Sequence, residues 1–330
     1  MDHIAFPYRS SSHLTLLHVV AESGAWEKYG LEVDYDRYIS SSEAHRAIPS
    51  GAVEFCGGNH VSTYGNRVRG EEWVYLGQTV NFVDHQLVVR PDSPIRSIAD
   101  LREKKVGTRG SHPELNNWLY LKQHGLDVDR DEVELINQLK YKGNNMDPTS
   151  KNDPEGLAMP KLWELVKEGG VDAAICPPPG GQIAVDLGLK VIDIDPLPMI
   201  WHTTVSSSPK FVEQHPDIVE RLLKALIEGI HFFKTRPKET IDILHRRYTQ
   251  EGQMTREQAT ATYAMIAPPL EPKLFPTTEA IANVYQEAIR QDPEARKVNP
   301  LELWDLHHIR RLDDQAFVKK LYGDVPARHG

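Results

Sequence analysis

The chain has 330 residues, 40% hydrophobic and 26% charged, with a formal net charge of −9. That length is natural for two lobes, and the acidic balance, without a Lys/Arg-rich block, excludes a nucleic-acid footprint. Two cysteines, Cys56 and Cys176, are too few for a disulfide framework. No apolar run approaches the roughly 18 residues of a membrane span. The opening "MDHIAFPYRSSS" has no basic segment, apolar stretch or cleavage site of an export signal. A cytoplasmic location is therefore expected, or a periplasmic one if a signal peptide has been removed.

In chain order, "HIAFPY" reads as a strand. Ser12 caps a helix through "LTLLHVVAESGAWEKYG", which stops at Gly30. "LEVDYDRY" alternates as a strand, "SSEAHRAIPSG" is a short capped helix, and "AVEFC" is a strand again. "VSTYGNRVRG" reads as helix, "EEWVYLGQTV" as strand, and "QLVVRPDSP" as an apolar run ended by proline. This alternation predicts an α/β fold with a parallel sheet and helices on its faces.

A second series follows. "SIADLREKKVGTRG" gives a short helix, a strand and a glycine turn; "SHPELNNWLYLKQHG" is a helix with Ser111 as N-cap and Gly125 as stop. "EVELINQL" is a strand, and the polar residues 140–156 read as a surface loop. "LAMPKLWELVKEGG" is a helix and "VDAAICPPPGG" a buried strand stopped by prolines; "QIAVDLG" and "LKVIDI" add a helix and a strand. From about Pro196, past "MIWHTTVSSS", helices dominate. One of them places Ile218, Val219, Leu222, Leu223, Leu226, Ile230 and Phe233 on a single face.

Ligands of open α/β sheets bind beyond the carboxyl ends of strands, so the residues there are the candidates. After the first strand come Arg9, Ser10, Ser11, Ser12 and His13: a guanidinium, hydroxyls and a helix N-terminus, which suit an anion or simply cap a helix. After "AVEF" come Cys56, Gly57, Gly58, Asn59 and His60. The glycines allow close backbone approach, Asn59 and His60 are positioned for ligand contact, and Cys56 reads as packing. Asn81, Asp84 and His85 lie in "QTVNFVDHQ". Thr108, Arg109, Ser111 and His112 form a second anion-suited helix start, again with plain capping as the alternative. The prolines around Pro178 make a rigid wall for a flat ligand or a turn. Trp201 offers stacking or ordinary core packing, with His202 beside it. His60, His85, His112 and His202 match no local metal motif. No cofactor is therefore expected, with a divalent metal as the alternative, and neutral imidazoles also serve as acid/base groups.

Several segments carry a resemblance: "SGAWEKYGLEVDY", "IPSGAVEFCGGNHVSTY", "SIADLREKKVG", "GGVDAAICPPPGG" and "HPDIVERLLKALIEG". Across nearly its whole length the chain resembles the solute-binding proteins for aliphatic sulfonates, taurine and nitrate, in the superfamily that includes the thiamine-pyrimidine synthases. Glu103 stands where the family usually has glycine, and the synthases' cysteine-rich motif is absent. The resemblance implies a two-lobed periplasmic-binding-protein type II fold with a hinge and an interlobe cleft. Lobe I would comprise residues 1–88 and 197–330, with the C-terminal helices, and lobe II residues 89–196. Crossings are expected near 86–92 and 194–200.

Two functions follow as expectations. The first is a cytoplasmic enzyme on this scaffold acting on a small aromatic carboxylate, most concretely a decarboxylase of a dihydroxyphthalate-like substrate. Arg9 and Arg109 would grip carboxylates, and His60, His112 or His202 would protonate the carbanion. The alternative is the binding protein of an ABC importer for a sulfonate, carboxylate or similar small anion, with the permease as partner.

Overall fold

The computed structural model describes residues 1–108, 114–137, 161–176, 180–247 and 254–323. The chain forms two compact units: Met1–Asn81 with Pro198–Gly330, and Phe82–Leu197. The first change of unit thus falls at 81/82, inside a strand, where the sequence reading has 88/89. Among the described residues no helix is long and apolar enough to cross a membrane.

Ten strands are described: β1 (Asp2–Ala5), β2 (Leu31–Asp34), β3 (Cys56–Gly57), β4 (Val74–Val83), β5 (Gln86–Val89), β6 (Lys105–Thr108), β7 (Glu134–Asn137), β8 (Ala173–Cys176), β9 (Lys190–Asp193) and β10 (Leu197–Ser207). In the first unit β1 pairs parallel with β2, and a second sheet runs β3-β10-β4. The second unit holds a five-stranded sheet in the order β7-β6-β8-β5-β9. Here β6 is parallel to β7 and β8, whereas β5 is antiparallel to β8 and β9. The wholly parallel sheet expected from the alternation is corrected to a mixed one. A continuous apolar run such as Leu87–Val89 reports burial on both faces but not strand direction.

In the first unit, helix Ser11–Glu22 is buried from His13 through Val20. It packs against helix Pro216–Thr235, whose Val219, Leu222, Leu223, Leu226, Ile230 and Phe233 are all buried; the predicted Ile218 is only partly so. Helix Ser41–Ser50 starts with the capping box of Ser40 and Glu43 and ends at Gly51 in the left-handed region.

Two segments depart from their sequence patterns. "AVEFC" pairs as a strand only from Cys56. Before it, the Phe55 amide donates to Ala5 O at 3.1 Å, and the Glu54 carboxylate accepts from the Ala5 amide at 2.8 Å. A side chain stands in for part of the ladder. In contrast, the polar "HTTVSS" shows no alternation yet forms the C-terminal half of β10, with Thr203, Thr204, Ser206 and Ser207 fully buried. Their hydroxyls make this possible: Thr204 Oγ1 donates to Gln78 Oε1 (2.5 Å), Ser206 Oγ to Gly58 O (3.3 Å) and Ser207 Oγ to Glu54 O (2.7 Å). Thr203 is held from both sides of its backbone by Thr79 Oγ1, at 2.8 and 3.1 Å. Buried hydroxyls are tolerated when each finds a partner.

Candidate functional site

The turn after β3 is the centre of the site. β3 pairs with β10 through Val205↔Gly57 and Ser206↔Cys56, which brings "GGNH" of residues 57–60 against residues 200–204. The Gly58 amide donates to Thr204 O at 3.3 Å. Two residues here adopt left-handed backbone without being glycine: Asn59 (φ 58°) and His202 (φ 62°). Such conformations are uncommon outside glycine and persist where the surroundings fix them. Asn59 is fixed by its carbonyl, which accepts from Thr63 Oγ1 (3.0 Å) and the Tyr75 hydroxyl (2.8 Å), and by Ser41 Oγ on its Oδ1 (3.2 Å).

Around this turn stand Arg9, His13, His60 and His202. The His13 and His202 ring centroids are 5.8 Å apart. A β-carbon on Gly58 would lie 3.4–3.5 Å from His13 Cε1, Arg9 Cβ and His60 Nε2, so all three side chains close on one glycine. His60 Nδ1 lies 3.1 Å from Ile200 O. A carbonyl only accepts, so Nδ1 carries the proton and Nε2 keeps its lone pair in the neutral ring. His202 Nδ1 is 3.2 Å from Thr203 Oγ1.

The electrostatics follow from burial. Desolvation drives His60 down to about 4, opposed by the Ile200 carbonyl and helped by Arg9. It drives His202 to about 4 as well, with the nearby Ser12 backbone opposing and His60 adding. His13 falls well below the usual histidine value, first through burial and then through His202, His60 and Arg9. All three rings are neutral near pH 7. Arg9 is also lowered by burial, and it makes no ion pair or hydrogen bond among the described residues. Arg9 Nε, His13 Nδ1 and Asn59 Nδ2 are all buried without a hydrogen-bond partner there. One cation and several orphaned polar atoms thus stand around one turn, and each unmet buried group costs about 1–3 kcal/mol.

Of the residues singled out in the sequence, Arg9, Asn59, His60 and His202 come together. His13, noted in the sequence beside Arg9 beyond the first strand, belongs with them. The signal available was a histidine in the first turn of a helix whose buried stretch is mostly apolar. Ser10 precedes that helix without a side-chain cap and is exposed; the Ser11 side chain is not described. Asn81 is not a free contact. Its Nδ2 donates to Phe275 O (2.8 Å) and its Oδ1 accepts from the Thr277 amide (3.0 Å), so both ends of the amide hold the segment before helix Thr278–Gln291. Trp201 packs against the first unit's core, and its carbonyl accepts from Gln78 Nε2 at 2.5 Å.

His85 and Thr108 are in the second unit. Thr108 is buried, and its hydroxyl donates to Ile136 O at 3.3 Å. His85 stacks on Tyr120 with centroids 5.5 Å apart and lines a cavity of about 310 Å³ with Asp84, Gln86, Asp193 and Ile194. Burial and Asp193 raise the Asp84 carboxyl above its ordinary value. Two carboxyl groups on that wall disfavour an anion. Arg109, Ser111, His112, Pro178 and the loop 140–156 lie outside the described residues. Cys56 is fully buried and its thiol is pushed up to about 12 by desolvation, which fits packing and not nucleophilic chemistry.

The model of the family described as NMT1/THI5 like matches residues 11–146. No curated protein sequence matches the chain. Solved structures do. The periplasmic aliphatic sulphonate binding protein SsuA of Escherichia coli superposes with a TM-score of 0.61 at 16% identity, over 90% of this chain and 89% of that one. This chain has the periplasmic-binding-protein type II fold. The same type II fold is matched in the alkanesulfonate-binding protein SsuA from Xanthomonas axonopodis pv. citri, solved bound to MOPS (TM-score 0.58, 13% identity, 93% and 99% covered). It is matched too in the desulfurization enzyme DSZB, solved as a cysteine-to-serine mutant with biphenyl-2-sulfinic acid (TM-score 0.59, 16% identity, 96% and 100% covered). The type II fold thus carries both binding proteins and an enzyme among the structures this chain is similar to, and the residues around Arg9 have to decide between them.

Proposed function

We propose that this protein binds a small organic oxyanion of the sulfonate class as the solute-binding component of an ABC importer, with the anionic head held by Arg9 and by His13, His60 and His202. The observation that carries this reading is Arg9, a half-buried guanidinium without a counter-charge among the described residues. An uncompensated buried charge is costly, and a bound anion supplies the missing partner. Neutral imidazoles and the Asn59 amide add hydrogen bonds without repelling the ligand. The sulfonate-binding proteins that share the fold support this choice of anion, and with transport goes a periplasmic location. The decarboxylase reading has no such support. Chemistry on a bound aryl oxyanion keeps one supporting observation, the DSZB complex, together with three neutral imidazoles that are able to accept a proton.

The test is calorimetric titration with a panel of alkyl- and arylsulfonates, matched carboxylates, and an arylsulfinate followed for product release. Sulfonates should bind tightest and leave unchanged. Arg9→Gln should weaken binding by more than about thirtyfold, the loss expected when one partner of a buried charge pair is removed. The ligand-free variant should keep or gain stability, since it sheds an unpaired charge. Sulfonate affinity untouched by Arg9→Gln overturns this assignment, and turnover of the sulfinate replaces transport with catalysis.

A further inference from the structure

The first unit carries a second cluster of titratable side chains. Asp305, His307 and His308 each present a donor atom, and these atoms lie within 4.8 Å of one another. Asp305 precedes helix His307–Asp314, whose first two residues are the histidines. It is well anchored: its amide donates to Tyr75 O at 2.9 Å, and its carboxylate accepts from the His307 amide at 3.3 Å and meets His307 Nδ1. The His307 and His308 rings are 3.8 Å apart.

His308 is the unexplained member. It is only 2% exposed, yet neither ring nitrogen has a hydrogen-bond partner among the described residues. A neutral imidazole has one nitrogen that donates and one that accepts, so leaving both empty in a buried ring is expensive. The same three side chains line a cavity of about 320 Å³, whose other walls are Val74, Pro209, Val212, Glu213 and Pro216.

We propose that Asp305, His307 and His308 bind one divalent transition-metal ion of the zinc type, with an open coordination position on the cavity side. Two imidazoles and one carboxylate are the donor set such ions take, whereas calcium and magnesium favour oxygen alone. Coordination would satisfy one of the empty His308 nitrogens. Bonds of about 2.0–2.2 Å to a tetrahedral ion need donors closer than 4.8 Å. The His307 side chain, 60% exposed, has solvent on its outer side and can close that gap by exchanging its contact with the Asp305 carboxylate for the ion. Three protein ligands leave a fourth place for water or a ligand group, and Glu213 on the wall supplies an acceptor for it. This site is separate from the Arg9 cluster and does not rest on the reading of that cluster.

The test uses untagged, chelator-stripped full-length protein titrated with zinc chloride by calorimetry, with cobalt(II) absorption as a second readout. The expected result is one equivalent bound with a Kd below about 10 µM. His307→Gln and Asp305→Asn should each weaken binding by more than about tenfold and remove the visible cobalt bands. His307→Gln changes an exposed side chain, so the metal-free variant should melt like the parent, and lost binding cannot be ascribed to misfolding. Absence of zinc binding up to about 1 mM overturns the proposal. One-equivalent binding that survives both substitutions overturns it equally.

Discussion

A β-carbon on Gly57 would stand 2.7 Å from His13 Nδ1 and 3.4 Å from Thr203 Cγ2. The glycine is there because an imidazole from another segment occupies the space a side chain would take. Gly57→Ala therefore forces His13 out of position. It should destabilise the fold by about 1–3 kcal/mol, as overpacking does, and weaken sulfonate binding in parallel. Denaturant unfolding and calorimetry read the two effects. A variant with parental stability and affinity would show that His13 moves aside freely and has no part in the site.

Acid should weaken the fold in a defined window. His13, His60 and His202 all have folded-state values below the ordinary histidine value, the last two at about 4, and His18, buried against Tyr35, is also near 4. The unfolded chain takes up protons first as the pH falls, so stability drops from about pH 6.5 towards about pH 4. A depression to about 4 corresponds to an upper limit of about 3 kcal/mol for each of His60 and His202. Unfolding free energies at several pH values between about 7.5 and 4 check this, and a flat profile would contradict the neutral cluster. An anion beside these rings raises their values, so binding should take up protons and tighten as the pH falls from about 7 to 6. Calorimetry in buffers of different ionisation enthalpy measures that uptake.

Glu103 is a non-glycine residue in the left-handed region, with φ 57°. Its amide donates to Asp131 O at 2.9 Å, which pins the turn before β6. The side chain thus sits in a conformation that a β-carbon disfavours by about 1–2 kcal/mol. Glu103→Gly should stabilise the protein by about 0.5–1 kcal/mol once the extra freedom of unfolded glycine is subtracted. Thermal melting checks the sign, and a lower melting temperature would show that the Glu103 side chain makes compensating contacts.

The alternation of strands and helices, the buried face of helix Pro216–Thr235 and the capped helix Ser41–Ser50 were all legible in the sequence. Each depends on residues within a few positions of one another. The turn at Gly57–His60 was legible for the same reason: two glycines after an apolar run announce close backbone approach. Asn81 misled, since a polar residue at a strand end looks the same whether it meets a ligand or, as here, Phe275 and Thr277.

Sequence by itself determined that this is an α/β chain with a glycine turn carrying Asn59 and His60. Only the tertiary structure decided that His13 and His202 join Arg9 there, that β5 runs antiparallel, and that "HTTVSS" is a buried strand. The reason is the pairing of β3 with β10, which sets residues far apart in the chain side by side. Periodicity records which face of an element is buried. It does not record the partner, and it is the partner that leaves Arg9 without a counter-charge and His308 without a hydrogen bond among the described residues.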